Sequence, residues 1–446
     1  MLLTITLTFI IIGFLVVYKE YKKKKDFFHP KVFTLGYFLL YNFYYLYLIS
    51  SDPYEFSKSV QYKLISDPDE AIFKYIVLQC LFYVFYYLAF LDKQKLKIKS
   101  RNNKESLLVL KVMNNIAFFY TLFAFPYFII KNGGFIELIS DFSQRSEYLT
   151  GDLIVQILFK LVELLSVLSI YLFYKKIISK NRLIVTIILV LIISLMSGGR
   201  GNVLNVLIAC IFAMNYSMGR FVKFIDLKKY IVIIVILAPL FIIIPKLRNQ
   251  NFVEEFMQNP KEVFFKKVDN GKHEWESYAD LSRAYIPIFI LDNYNIENFW
   301  YGKSFIGFFT AIIPRSIYHE KPIIDEGLYI YEAVHGNDIQ PPANLKVFKS
   351  IRNTPVGWPP RTLGLWYVNF GILGVILSGF IFAKIINIVY INTVSKGSIT
   401  FFQIFLYFLF LTKLQLNNVG LFTIIQAILV YYLFYKLTAI ILNRKQ

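Results

Sequence analysis

The sequence predicts an all-α, polytopic membrane protein with about eleven transmembrane helices and one large external loop. Three observations predict it. The chain of 446 residues is 57% hydrophobic, with 45 Phe and 33 Tyr, and its mean hydropathy of +0.52 exceeds that of a soluble globular domain. Several runs reach the roughly 18 apolar residues needed to span a bilayer. Basic residues gather in alternate connections between those runs, as they do when helices thread back and forth through a membrane.

Taken in order, the spans fall near 2–18, 32–50, 71–91, 112–130, 153–174, 183–198, 202–218, 230–245, 362–391, 399–416 and 419–435. The first, "LLTITLTFIIIGFLVV", has no basic residue ahead of it, no small-x-small cleavage pattern, and "KEYKKKK" behind it. It reads as a retained helix rather than a signal peptide. The connections "KEYKKKKDFFHPK", "DKQKLKIKSRNNKE", "KKIISKNR" and "MGRFVKFIDLKK" are basic, whereas "SDPYEFSKSVQYKLISDPDE" and "KNGGFIELISDFSQRSEYLTGD" carry more acids than bases. The positive-inside rule then puts the N-terminus outside and the C-terminal "LNRKQ" in the cytoplasm. The net charge of +19 is mostly this topology, with some attraction to anionic lipid, and not a nucleic-acid surface.

Charges inside the spans are few. Lys160 and Glu163 in "LFKLVELL" stand three residues apart on the fifth, so they can neutralise each other on one face. Transporters also place ionisable groups at this depth. Lys413 lies near a helix end and can snorkel. Cys80 and Cys210 sit inside spans without metal-ligand spacing, and read as small apolar residues.

One connection is long. Residues 246–361, between the eighth and ninth spans, form a periplasmic or external loop within a single membrane domain, 1–446. It holds 14 basic and 14 acidic residues. Three of the four histidines and three of the four tryptophans fall in it or at its edges. Aromatics mixed with charges suit a carbohydrate-facing surface, because sugar rings stack on aromatic faces; ordinary loop packing gives the same composition. Within the loop, "SFIGFFTAIIP" (304–314) is apolar but too short to cross, so it reads as a re-entrant or interfacial segment ending at Pro314.

Candidate site residues cluster on the external side. Arg200 sits in "SGGRGN" between the sixth and seventh spans, where glycines let a ligand approach the backbone and a helix N-terminus favours anions. That describes a diphosphate or carboxylate site; the plainer alternative is an arginine snorkelling to headgroups. In "IPRSIYHEKP", Arg315 and Lys321 can clamp a phosphate while His319 or Glu320 acts as a base, or the stretch is a solvated loop. Arg283, among apolar neighbours, calls for an anionic partner. Arg248 and Arg361 stand where spans leave the membrane, as interface anchors do. No Walker A, GxGxxG, HExxH, GxSxG or CxxC pattern occurs. Chemistry on this side therefore has no ATP to draw on and needs an activated donor already in the membrane.

"SGGRGN", then "GKSFIGFFTAIIPRSIYHEKP", then "LGLWYVNFGILGVILSGF" resemble, in order and spacing, the oligosaccharide repeat-unit polymerases of the Wzy (O-antigen polymerase) type, over roughly residues 195–380. The resemblance implies a bacterial inner (cytoplasmic) membrane enzyme of GT-C-like architecture, working without metal or cofactor. Its implied reaction transfers a growing glycan from undecaprenyl diphosphate to a sugar hydroxyl of the next lipid-linked repeat unit. Arg200, Arg283, Arg315 and Lys321 are implied to hold the diphosphate, with Arg248, Arg361 and His335 as secondary candidates. The base is expected among Asp280, His319, Glu320, Asp325 and His335, with Glu320 or His319 favoured for nearness to the cations. Gly371 and Gly374, at the "NFG" that resembles the family's helix start after the loop, are expected to allow close helix packing. Implied partners are the lipid-linked oligosaccharide, membrane lipid and a chain-length regulator protein, with no nucleic acid. The rival readings are an O-antigen ligase-like glycosyltransferase, a lipid-linked oligosaccharide flippase or exporter, and a non-catalytic scaffold.

Overall fold

The computed structural model describes residues 2–51, 65–90, 106–134, 152–196, 200–219, 223, 282–351, 357–394 and 400–443. Among them there is no strand; one antiparallel bridge joins Pro322 and Asn344. Helices occupy the first seven expected spans: α1 (Leu2–Lys24), α2 (Pro30–Ser51), α3 (Pro68–Leu88), α4 (Leu107–Lys131), α5 (Leu153–Tyr174), α6 (Lys180–Met196) and α7 (Arg200–Ser217). The eighth, 230–245, lies outside the described residues. The segment expected from the sequence to be external, named the external unit for that expectation, contributes α8 (Ser282–Asn293), α9 (Ile306–Thr310), α10 (Gly327–Val334) and α11 (Leu345–Ile351), followed by α12 (Arg361–Val394), α13 (Phe401–Lys413) and α14 (Asn418–Asn443). Among the described residues, six helices are long and apolar enough to cross a membrane: α1, α3, α4, α5, α12 and α14. Stretches of α2, α7 and α13 are apolar but shorter.

Local chemistry sets the helix starts. Asp67 caps α3 by accepting from the Glu70 amide at 3.0 Å, with Pro68 in the first position. Asp152 caps α5 through one oxygen and takes Lys131 Nζ at 2.7 Å and Tyr127 Oη at 2.9 Å on the other, which fastens the facing ends of α4 and α5. Helix α5 is the hub. It packs on α4, α6, α7 and α13, while α14 rests on α4 and α13, and α3 lies along α12. Gly379 of α12 stands against the Phe82 carbonyl, where a Cβ would come within 2.6 Å, so glycine is what lets α3 and α12 approach.

Helix α12 corrects the expected ninth span. Rather than running unbroken through 362–391, the helix breaks at Gly371, with φ 61° and ψ −146°. The Trp366 carbonyl then stands directly against the position of a Gly374 Cβ, so the chain folds sharply on itself. Two residues eight apart on a straight helix would be about 12 Å apart along the axis. Residues 361–370 are thus a separate short helix that belongs with the external unit. The length left for crossing is 372–394, which at 1.5 Å per residue still matches a hydrocarbon core of about 30 Å. Only glycine adopts this backbone without penalty, and the fold-back needs it.

The aromatic residues of this unit join the main core of the helix bundle. Trp300, Tyr329 and Phe348 are buried and meet edge to face, at 5.7 Å for Trp300–Tyr329 and 5.3 Å for Tyr329–Phe348. The short link after α1 is pinned by hydrogen bonds from α3, α7, α12 and α13. Buried Asp26 accepts from Tyr216 Oη of α7 at 2.8 Å and Tyr390 Oη of α12 at 3.2 Å. Tyr86 Oη donates to the Pro30 carbonyl at 2.8 Å and Tyr407 Oη to the Phe28 carbonyl. Burial, and then the Lys24 and Lys31 charges, lower the His29 pKa to about 3, so its ring is neutral.

Candidate functional site: a charged cavity within the helix bundle

Two helices carry charge into the bundle. On α5, Lys160 lies eight residues beyond the Asp152 cap, about 12 Å along the axis. An isolated charge at that depth is costly unless it is paired or faces a polar cavity. Both answers are present. Lys160 Nζ donates to Gln426 Oε1 of α14 at 3.2 Å, and Lys413 at the end of α13 pairs with Glu163 at 2.6 Å. The Lys160–Glu163 neutralisation expected from their spacing is therefore replaced by partners on neighbouring helices. Lys413 is likewise held inward instead of snorkelling. A same-helix pair at i,i+3 is worth only a few tenths of a kcal/mol, so packing that brings α13 and α14 alongside easily overrides it.

These groups line one side of a cavity of about 260 Å³. Its remaining walls are apolar residues of α5, α13 and α14, among them Phe159, Leu409 and Val430, with Ser194 of α6 and Asn202 and Val206 of α7. Asn202 belongs to "SGGRGN". The motif that drew attention in the sequence thus reaches the cavity through Asn202, and Arg200 is the first residue of α7. The position of the Arg200 side chain lies outside the described residues, as do Arg248 and Asp280 entirely and the side chain of Arg283, which is in the first turn of α8.

The second and third motifs are joined by hydrogen bonds. Buried Asn369, of "NFG", accepts from the Gly302 amide at 3.0 Å and donates to Ser304 Oγ at 2.9 Å. The Ser304 carbonyl accepts from Asn418 Nδ2 at 2.8 Å, and the Asn418 amide donates to Glu326 Oε1 at 3.1 Å. The Trp300 amide donates to the Val368 carbonyl at 2.8 Å, just ahead of the helix break. Trp366 Nε1 reaches the Leu416 carbonyl at 2.8 Å. This clamp seats the external unit on the starts of α12 and α14. Glu326 is sealed inside it, 1% exposed, and burial together with the neighbouring Asp325 raises its carboxyl to about 8.

The remaining candidates are spread apart. Arg315, His319 and Glu320 are exposed, and Glu320 approaches Lys346 at 3.8 Å. Lys321 does not face outward with Arg315: it is buried, and its Nζ donates to the Ala311 and Ile313 carbonyls at 3.0 and 2.8 Å. Asp325 is half-buried, its carboxylate against Gly357 and accepting from the Gly327 amide at 2.9 Å; burial raises its pKa. His335 stacks within 4.2 Å of Tyr331 and 5.8 Å of Trp358, with Nδ1 2.7 Å from the Tyr331 carbonyl. Arg361 lines a separate cavity of about 120 Å³ walled by Tyr75, Gln79, Phe382 and Gln415. Sequence reasoning missed Gln426, Asn418 and Glu326. Gln426 and Asn418 look like incidental polar residues at the edge of an apolar run, and only the cross-helix contacts give them meaning. Among the described residues no three metal-ligating side chains cluster. No family model matches the chain, nor does any curated protein or solved structure.

Proposed function

We propose that this chain is a polymerase of lipid-linked oligosaccharides at the outer face of a bacterial cytoplasmic membrane. In this reading it crosses eleven times, with GT-C-like architecture, N-terminus outside and C-terminus in the cytoplasm. The observation that carries the proposal is the cavity in which Lys160, bonded to Gln426, and the Lys413–Glu163 pair share a mostly apolar lining with Asn202, in the first turn of α7. An amphiphile with an anionic head and a hydrocarbon tail fits that chemistry, and undecaprenyl diphosphate is one.

In the reaction, a hydroxyl of the incoming repeat unit attacks the anomeric carbon of the growing glycan. The bond from that carbon to the diphosphate oxygen breaks, and undecaprenyl diphosphate leaves with the electron pair. Cations near the diphosphate neutralise the developing charge, each worth about 3–4 kcal/mol in a dry site. The hydroxyl proton passes to a base. Asp325 combines a pKa raised by burial with partial exposure, which suits that role better than exposed Glu320 or sealed Glu326.

The test is reconstitution of the purified full chain with undecaprenyl-diphosphate repeat units, with EDTA and without nucleotide sugars. A ladder of lengthening chains, lost in Arg200→Ala and in Lys160→Ala, is the expected result. A single transfer to an added acceptor makes the protein a ligase. Substrate crossing the vesicle bilayer without product makes it an exporter.

A further inference from the structure

The apolar segment of the external unit presents its hydrophobic side chains outward. Phe309 is 73% exposed, Ile312 79% and Ile317 76%, and Ile306, Ile313 and Tyr318 are exposed beside them. Scattered exposed apolar residues need no explanation, but this many within thirteen positions form a patch, and such patches mark contact surfaces. The segment is also fixed in height. Its first turn is tied through the Ser304 carbonyl to Asn418, the first residue of α14, and α9 packs directly on α14. The patch therefore continues the surface of a membrane-crossing helix whose own apolar residues, beginning at Val419, are exposed.

Two further features fit a low-water setting. Helix α9 is five residues long, so the carbonyls that follow it have no helical partner. Lys321 folds back to satisfy two of them, Ala311 and Ile313, and its own charge is withdrawn from the surface. A backbone placed in lipid must be satisfied internally in this way. The segment's exposed basic residue, Arg315, sits between Ile313 and Ile317, where an arginine reaches headgroup phosphates while its neighbours enter the acyl boundary.

We propose that residues 306–318 are inserted into the adjacent membrane leaflet, with Phe309, Ile312 and Ile317 in the headgroup–acyl boundary and Arg315 against phospholipid phosphate. The external unit is then a monotopic anchor as well as a loop, held to the bilayer beside α14. This does not depend on the polymerase reading. It rests on exposure, height and carbonyl satisfaction.

The experiment uses the full chain with Cys80→Ala and Cys210→Ala, in phosphatidylethanolamine–phosphatidylglycerol vesicles. Single cysteines are introduced as Phe309→Cys, Ile312→Cys and Ile317→Cys, spin-labelled, and compared with Ile296→Cys, another highly exposed external position at 77%. Because all four side chains are on the surface, the substitutions leave the core untouched. The expected result is a several-fold higher ratio of oxygen to nickel-chelate accessibility at 309, 312 and 317 than at 296. Equal ratios at all four positions overturn the proposal. Labels shielded from both reagents, with dipolar broadening between molecules, also overturn it, because a second copy would then cover the patch.

Discussion

Glu326 shows how one residue can couple the external unit to pH. Its carboxyl titrates near 8 in the folded chain against an ordinary 4.5. Between those values the folded state holds a proton that the unfolded state has lost, so stability falls as pH rises through that window. The clamp should be firmest in acid and weaker at the alkaline end. Glu326→Gln keeps the neutral form permanently, so its thermal midpoint should be nearly flat from pH 5 to 8, about the span between the two pKa values. A variant as pH-sensitive as the parent would remove this carboxyl from the account. Asn369 is the other decisive single residue. Asn369→Ala leaves the Gly302 amide and Ser304 hydroxyl buried without their partner, at a cost of about 2–3 kcal/mol. Faster proteolysis between α8 and α9, with the membrane helices intact, would be its signature.

At the scale of elements, α12 depends on two glycines for different reasons. Gly371 needs a positive φ, and a Cβ there meets the Phe299 ring at 2.9 Å. Gly371→Ala should cost about 1–3 kcal/mol, part of which Phe299→Leu recovers by yielding space. Gly374→Ala is more severe, because the obstacle is the Trp366 backbone carbonyl, which cannot turn away. Expression and thermal unfolding of the three variants separate ring crowding from backbone collision. A Gly374→Ala protein as stable as the parent would show that 361–370 does not fold back on 372–394. The break falls at the end of "NFG", so the ten residues before it, 361–370, form a helix separate from 372–394.

Across the whole molecule, the charge of Glu163 is balanced by a lysine of another helix rather than by one on its own. Lys413→Ala leaves Glu163 without its ion-pair partner, at a cost on the order of 3 kcal/mol. Lys413→Ala combined with Glu163→Gln should recover most of it, and a double-mutant cycle on thermal stability in detergent measures the coupling. Absence of coupling would mean that the 2.6 Å pair is not maintained. Lys160 gives the contrasting case. It lines the cavity and, among the described residues, bonds to the neutral Gln426, so Lys160→Ala should leave stability nearly unchanged while weakening binding of an anionic lipid.

Apolar composition and run length were enough to mark where the long helices lie, because hydrocarbon imposes a length and an apolar composition that any crossing segment must meet. Helices lie on ten of the eleven expected segments, and the short stretch at 304–314 is indeed too brief to cross. The motifs "GKSF" and "NFG" stood out in the sequence, and Asn369 is the reason they belong together. The chain's order could not reveal who pairs with whom. Glu163 chooses Lys413 across 250 residues over Lys160 one turn away, Lys321 turns inward to two carbonyls, and α12 breaks where it looked continuous. Those outcomes depend on which helix faces lie together once the bundle has packed. Side-chain partners in a low-dielectric interior are selected by proximity in space, and sequence spacing carries that information only within a single helix turn.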